Sequence, residues 1–118
     1  MVIINIFFVF IVLQNFKEKP IDQDVLFGTT TSFNCVSEGQ PKPHIFWRVS
    51  LKKSNESFII NNHKRHGGNF EMLDNSTLVL RNVSDKNEGS YTCISESPGL
   101  IKTASAVLTV YGIKIFGY

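Results

Sequence analysis

Apolar and polar residues alternate along several short segments of this 118-residue chain. In residues 29–36 the predicted inward set is Thr31, Phe33 and Cys35, with polar residues between them, and residues 44–50 alternate in the same way. Because successive side chains of a β-strand point to opposite faces, this period of two predicts strands with one buried face. Helical periodicity is absent after the first 16 residues. The pattern predicts an all-β fold of about eight short strands in two antiparallel sheets.

Turn-forming residues separate the predicted strands. The remaining strands are predicted at residues 25–28, 58–60, 70–73, 77–81 and 102–110, and a further strand carries Tyr91 after a crossing at 84–88 and before a turn at 97–99. Within residues 44–50, Trp47 is predicted to face the core, and Phe46 and Arg48 to face outward. An outward Phe46 is either an ordinary exposed apolar residue or part of a partner surface. If the chain binds a partner, we expect the contact residues on this outer face and in the loop at residues 52–57.

The two cysteines carry the strongest signal in the sequence. Tyr91, Cys93 and Ser95 share the inward face of one predicted strand, and the sole tryptophan, Trp47, lies between Cys35 and Cys93. This order, with a tyrosine two residues before the second cysteine, is typical of an immunoglobulin-like sandwich. It predicts a disulfide that joins the two sheets, an indole packed against it and a tyrosine hydroxyl bonded to upstream backbone. Two buried free thiols, as in intracellular muscle immunoglobulin domains, are the alternative.

Three motifs carry a resemblance to a known family. Residues 39–47 read Gly-x-Pro-x-Pro-x-Ile-x-Trp, residues 78–83 read Leu-x-Leu-x-Asn-Val, and residues 89–93 read Gly-x-Tyr-x-Cys. They resemble the intermediate-set immunoglobulin domains of neuronal adhesion and guidance receptors. Residues 19–25 extend the likeness, which over residues 19–110 is similar to the third immunoglobulin domain of roundabout axon-guidance receptors. The resemblance implies an extracellular binding module that acts in cell recognition, adhesion or axon guidance, with an extracellular protein or cell-surface receptor as its partner.

The chain departs from the family pattern at Asn87. The family usually has an aspartate there, which pairs with a basic residue near the start of the strand called D in immunoglobulin domains. An asparagine cannot form that ion pair. Roundabout receptors also have further domains, so the chain is predicted to be a fragment of such a receptor or a small secreted relative. Two other hypotheses stay open: an accessory immunoglobulin domain of an extracellular matrix peroxidase, and an intracellular sarcomeric domain with reduced cysteines.

Several features predict passage through the secretory pathway. Residues 2–13 are almost continuously apolar, which fits the hydrophobic part of a signal peptide and is too short to span a bilayer. An uncleaved membrane anchor and an arbitrary sequence edge remain alternatives for this leader. Asn55, Asn75 and Asn82 each begin an N-glycosylation triplet. We therefore predict an extracellular or cell-surface glycoprotein with a leader at residues 1–16, a domain at 17–111 and a tail or linker at 112–118.

Candidate chemistry is sparse. The three histidines, His44, His63 and His66, lack the clustered acidic or thiol ligands of a metal site, and no nucleophile motif suggests catalysis. The sequence predicts no enzyme and no cofactor. A net charge of +2 gives no reason to expect nucleic-acid binding. Four basic residues either bind a sulfated glycan or form ordinary surface: Lys52, Lys53, Lys64 and Arg65. We expect contact with a membrane only through the leader or through a segment missing from this sequence.

Overall fold

The structure is a computed structural model that describes residues 12–61, 65–66 and 68–112. Within these residues it contains eleven strands and one 3₁₀ turn. The strands are β1 (Val12–Glu18), β2 (Gln23–Leu26), β3 (Thr31–Phe33), β4 (Val36–Gln40), β5 (His44–Leu51), β6 (Ser57–Ile60), β7 (Arg65–His66), β8 (Phe70–Met72), β9 (Leu78–Leu80), β10 (Gly89–Ser97) and β11 (Leu100–Tyr111). The 3₁₀ turn spans Asp85–Asn87. The predicted all-β fold is confirmed.

Two layers face each other. One is a five-stranded sheet in the order β2-β11-β10-β5-β6, and the other contains the four-stranded sheet β3-β9-β8-β7. A two-stranded sheet, β1-β4, is separate in its hydrogen bonding, although β4 follows β3 after only two residues. The strand pairs are antiparallel except β2 with β11, which is parallel. The layers form the predicted sandwich, and that one edge pair departs from the predicted antiparallel arrangement.

The core lies between the layers and consists of the residues that the alternation places inward. Phe33, Trp47 and Tyr91 form its aromatic centre, with the Phe33 and Tyr91 rings stacked at 4.8 Å between centroids. The other fully buried apolar side chains are Val49, Ile60, Leu78, Leu80, Val83, Ala106 and Leu108. The period-two pattern therefore predicted the buried face of β3, β5 and β9 correctly, because burial on one face is what the pattern records.

Two strands begin and end differently from the prediction. The strand predicted at residues 29–36 is divided into β3 and β4, because this stretch exchanges one neighbour, β9, for another, β1. Strand β4 runs to Gln40, so the turn-forming residues before β5 begin at Pro41. The segment between β6 and β8, predicted as turns, contains the two-residue strand β7.

The N-terminal boundary also differs. The predicted division between leader and domain, at residues 16 and 17, falls inside β1, where Gln14 is 3% exposed and Phe16 packs against the core. Residues 1–11 and 113–118, which hold most of the predicted leader and tail, lie outside the described residues. In the described part of the chain, no helix has the length and apolar character needed to cross a membrane.

Candidate recognition surface

A disulfide joins the two layers at the centre of the molecule. It links Cys35, which follows β3, to Cys93 in β10, with 6.4 Å between the Cα atoms. Trp47 in β5 is the register partner of Cys93, and its indole N–H donates to the backbone carbonyl of Ser76, 2.8 Å away. The indole is fully buried, so its only polar atom has a partner inside the protein. Both cysteines and the tryptophan therefore lie where the sequence pattern predicts.

The phenol of Tyr91 fixes the chain before β10. Its hydroxyl donates to the backbone carbonyl of Asn87, four residues upstream, and the ring is fully buried. Burial raises the pKa of the Tyr91 phenol well above its ordinary value, because the anionic form would lose its hydration. This is the tyrosine-corner contact that the position of Tyr91 predicts.

Asn87 has a neutral partner in place of the family's basic residue. Its side-chain amide exchanges two hydrogen bonds with Asn69, at 3.0 and 3.2 Å, and its carbonyl oxygen also accepts from the backbone N–H of Ser84. Asn69 directly precedes β8. The ion pair expected in the family is thus replaced by a reciprocal amide pair, and Asn69 is a residue that reading the sequence alone did not identify.

All three predicted glycosylation asparagines have exposed side chains. Asn55 lies in the loop between β5 and β6, Asn75 in the turn between β8 and β9, and Asn82 just after β9. Two of the three are thus attached to the four-stranded sheet, and the third lies in a loop at one end of the five-stranded sheet.

The strands β11, β10, β5 and β6 present a continuous outer face, directed away from the core. Four of its apolar side chains form a diagonal row from one edge of the face to the other, which we call the apolar stripe: Ile59, Phe46, Ile94 and Ile101. They do not belong to the core cluster. Ile59 is 43% exposed and Ile101 60% exposed, at the two ends of the stripe. Val107 on β11 is a further apolar side chain of this face, 49% exposed.

Two opposite charges flank the apolar stripe. Arg48 lies two residues from Phe46 on β5, and Glu96 lies two residues from Ile94 on β10, in the opposite direction along the sheet. Both residues are exposed. The ion pairs within the described residues are Lys53–Asp85 and Arg81–Glu71, so neither flanking charge is neutralised there. The outer face therefore has an apolar centre with one positive and one negative side.

The sequence identified only part of this surface. Phe46 and Arg48 were predicted to face outward, but Ile59, Ile94, Ile101 and Glu96 were not singled out. Ile94 is 6% exposed although it lies on the outer side of β10. The alternation along residues 92–96 carries the necessary signal, because Ile94 and Glu96 must face away from Cys93.

The structure describes only some of the basic residues and histidines that the sequence analysis named. Lys53 is paired with Asp85 at 2.5 Å, and this contact raises the pKa of the Lys53 ammonium and lowers the pKa of the Asp85 carboxyl. The imidazole Nε2 of His44 contacts the side-chain oxygen of Asn61 at 2.7 Å. Lys64 and His63 lie outside the described residues, and the structure describes only the backbone at positions 65 and 66. Across the described ranges, no group of three acidic, histidine or cysteine side chains could hold a metal ion.

The geometry agrees with the comparison with protein families. The Immunoglobulin I-set domain model matches residues 14–110, which is most of the chain. The chain belongs to the immunoglobulin I-set family. Solved structures agree: Drosophila OTK extracellular domains 3–5 superpose with a TM-score of 0.71 at 28% identity, over 86% of this chain and 33% of that one. The I-band fragment I67–I69 from titin gives 0.65 at 28% identity, over 82% and 32%.

Curated relatives are much longer proteins. This I-set chain is 33% identical to human peroxidasin homolog over 95 residues, 32% to Protein sax-3 of Caenorhabditis elegans over 98, and 33% to chicken Cell adhesion molecule DSCAM over 98. Each match covers 80% of this chain and 6%, 8% and 5% of the relative, in that order. The intermediate-set assignment is confirmed, and the narrower resemblance to roundabout receptors stays a prediction.

Proposed function

We propose that this I-set domain is an extracellular binding module of a cell-surface protein that acts in cell recognition, adhesion or axon guidance, as in roundabout-like receptors. The outer face of the five-stranded sheet carries the proposal. It offers an apolar stripe whose two ends, Ile59 and Ile101, are exposed and which is flanked by unpaired charges, as in a protein-binding surface with a polar rim. The sandwich acts as a rigid scaffold, and binding follows from the shape and charge of that face.

The relatives and the glycosylation triplets support this function. DSCAM is named as a cell adhesion molecule, and the chain is homologous to its immunoglobulin domain. Glycans on Asn75 and Asn82 would project from the side of the four-stranded sheet, and a glycan on Asn55 would project from the loop between β5 and β6. A disulfide between the layers suits the oxidising secretory pathway. The proposed partner is an extracellular protein or receptor, with a sulfated glycan as a further ligand of the surface lysines.

A second function is an accessory immunoglobulin domain within an extracellular matrix peroxidase. The similarity to human peroxidasin homolog favours it. In that case the domain would bind matrix components and take no part in the chemistry. The intracellular sarcomeric hypothesis has the structural likeness to titin in its favour, but three exposed glycosylation triplets and a cystine argue for the extracellular hypotheses.

Expression of the full chain in secretory cells tests the compartment. We expect secreted or surface-bound protein whose mass falls on treatment with a glycosidase and which shows no free thiol before reduction. Protein that carries no glycan and has two free thiols would contradict the extracellular proposal. The native transcript would separate the two extracellular functions, because it would encode either a membrane span or a haem peroxidase domain beside this one.

Binding to cells tests the surface. A fluorescent tetramer of the secreted chain should stain cells that carry its partner, and Phe46→Ser should abolish staining because it removes the centre of the apolar stripe. Lys86→Glu, in the exposed 3₁₀ turn away from the outer face, is the matched control. Equal staining by both variants would contradict the assignment of the binding surface.

A further inference from the structure

We propose that the three glycosylation triplets are not equivalent: Asn55 accepts a glycan even after the domain has folded, whereas Asn75 and Asn82 accept one only while the chain is unfolded. This inference rests on the proposed extracellular function, because it concerns a modification made in the secretory pathway. It follows from how the fold holds the two residues that come after each asparagine.

The chemistry of the transfer decides what a triplet must offer to the transferase. A bond forms between the asparagine Nδ2 and C1 of an oligosaccharide carried on a lipid pyrophosphate. The bond from C1 to the pyrophosphate oxygen breaks, the lipid pyrophosphate leaves, and the amide nitrogen gives up one proton to solvent. Acceptance also requires a serine or threonine two residues later. The amide and that hydroxyl must therefore enter one active site together, so the whole triplet has to detach from the rest of the fold.

The fold buries the middle of the Asn82 triplet. Val83 is fully buried in the core. Its N–H donates to the carbonyl oxygen of Thr29 at 2.9 Å, and its carbonyl oxygen accepts from the N–H of Gly28 at 2.7 Å. Ser84, the third residue, caps the 3₁₀ turn, where its hydroxyl accepts from a backbone N–H. This triplet cannot reach an active site unless Val83 leaves the core and the cap breaks.

The Asn75 triplet is held through the buried tryptophan. The carbonyl oxygen of Ser76, its middle residue, accepts from the indole N–H of Trp47 at 2.8 Å. Because the indole is fully buried, displacing Ser76 would leave that N–H without a partner inside the protein. The hydroxyl of Thr77, the third residue, donates to the side-chain oxygen of Asn34 at 3.3 Å. Detaching this triplet therefore disturbs the contact that fixes Trp47 in the core.

The Asn55 triplet is exposed along its whole length. Asn55, Glu56 and Ser57 all have exposed side chains, in the loop between β5 and β6 and at the first residue of β6. The Glu56 carbonyl accepts from the N–H of Leu51 at 2.8 Å, and Ser57 pairs with β5 at the end of their ladder. Since β6 is the last strand of its sheet, these contacts can open locally without removing a buried side chain.

The order of synthesis limits the time in which Asn75 and Asn82 can be modified. Cys93 follows both of them in the chain, so they are made before the disulfide with Cys35 can form. Strand β10, which carries Cys93, is the central strand of the five-stranded sheet, and the core is incomplete without it. A chain that folds before modification stays unmodified at these two positions. Their occupancy therefore records how long the chain remained unfolded, whereas that of Asn55 does not.

Glycan transfer to the purified chain in two states tests the inference. The glycan-free full chain with its disulfide formed is compared with the same chain after reduction and bulky alkylation of both cysteines, which the close-packed core cannot accommodate. Each is incubated with oligosaccharyltransferase and a lipid-pyrophosphate oligosaccharide, and peptide mass spectrometry follows each asparagine. We expect similar rates at Asn55. Transfer to Asn75 and Asn82 should be at least about tenfold slower in the folded chain, because it depends on the small fraction of locally open molecules.

Ser57→Ala is the matched control, because it removes the Asn55 triplet at an exposed position. Its folded form should accept almost no glycan, and its unfolded form should still accept glycans on the other two asparagines. Transfer to Asn75 or Asn82 that is as fast in the folded chain as in the unfolded chain would overturn the inference, and so would folding that slows transfer equally at all three. Either result leaves the proposed function standing, since that function fails separately if secretory cells yield glycan-free protein with two free thiols.

Discussion

Asn87 stands where the family pattern has an aspartate, and its partner is a second asparagine, Asn69. The side chain of Asn87 is 5% exposed and has Asn69 opposite it, so neither residue needs a charge. In Asn87→Asp, a buried carboxylate would lose the N–H donor to Asn69 and would face no cation. We expect a loss of about 1–3 kcal/mol of unfolding free energy, measured by urea denaturation. The double variant N69R/N87D should recover part of it, and a double variant as unstable as Asn87→Asp would contradict this account.

The buried phenol of Tyr91 predicts a specific loss of stability in alkali. Its pKa is raised in the folded protein above the ordinary value of 10.0. Since the unfolded chain then releases the proton more easily, the stabilisation is complete below pH 10.0 and is lost above it, by up to about 1.4 kcal/mol per pH unit. Urea denaturation between pH 8 and 12 measures the slope. Tyr91→Phe cannot ionise, so its slope should be smaller, and an equal slope would contradict the prediction.

Gly89 is needed because of a close backbone contact. A Cβ atom at this position would lie 2.1 Å from the backbone carbonyl oxygen of Ser50, on the neighbouring strand β5. Gly89→Ala must therefore push β10 away from β5, and we expect a loss of about 1–3 kcal/mol in urea denaturation. Ser90→Ala, at the next and exposed position, is the control and should change stability little. A Gly89→Ala protein as stable as that control would show that the strands adjust without cost.

At the scale of elements, the sequence predicted faces better than strand ends. Alternation identified the buried sides of β3, β5 and β9 because the period of two is visible in the sequence itself. The sequence of one strand does not show which strand it pairs with, so the break between β3 and β4 and the parallel pairing of β2 could not be predicted. The apolar stripe was missed for a related reason, since its members come from four strands whose register only the fold defines.

One polar side chain of strand β1, that of Gln14, is buried and bonded to β10. The side-chain nitrogen of Gln14 donates to the hydroxyl of Ser95 in β10, and the ammonium of Lys102 donates to the Gln14 backbone carbonyl at 2.8 Å. Ser95 is fully buried and also donates to the hydroxyl of Ser37. Gln14→Ala removes a buried donor, and we expect a loss of about 1–3 kcal/mol in urea denaturation. Asn15→Ala, exposed on the same strand, is the control, and equal stabilities would contradict a structural role for Gln14.

At the scale of the whole molecule, the fold and the binding surface have separate determinants. The inward residues build a sandwich common to cell-surface, matrix and muscle proteins, so their pattern predicts architecture and leaves the role open. The outward residues of β11, β10, β5 and β6 decide what the domain can bind. Reading function from the inward pattern alone therefore ends at the family, whereas the register of the strands supplies the surface.

The disulfide is a side-chain cross-link between the two layers, and removing it should show how far packing and chain connectivity hold them. The variant C35A/C93A frees a loop with a sequence separation of 58 residues. In the chain-entropy account this loosens the unfolded state and costs about 4 kcal/mol, a large share of the roughly 5–15 kcal/mol that stabilises a domain. Urea denaturation of the variant and the unaltered chain measures the difference. A loss below about 1 kcal/mol would contradict this account, because the buried core around Trp47 would then hold the layers by itself.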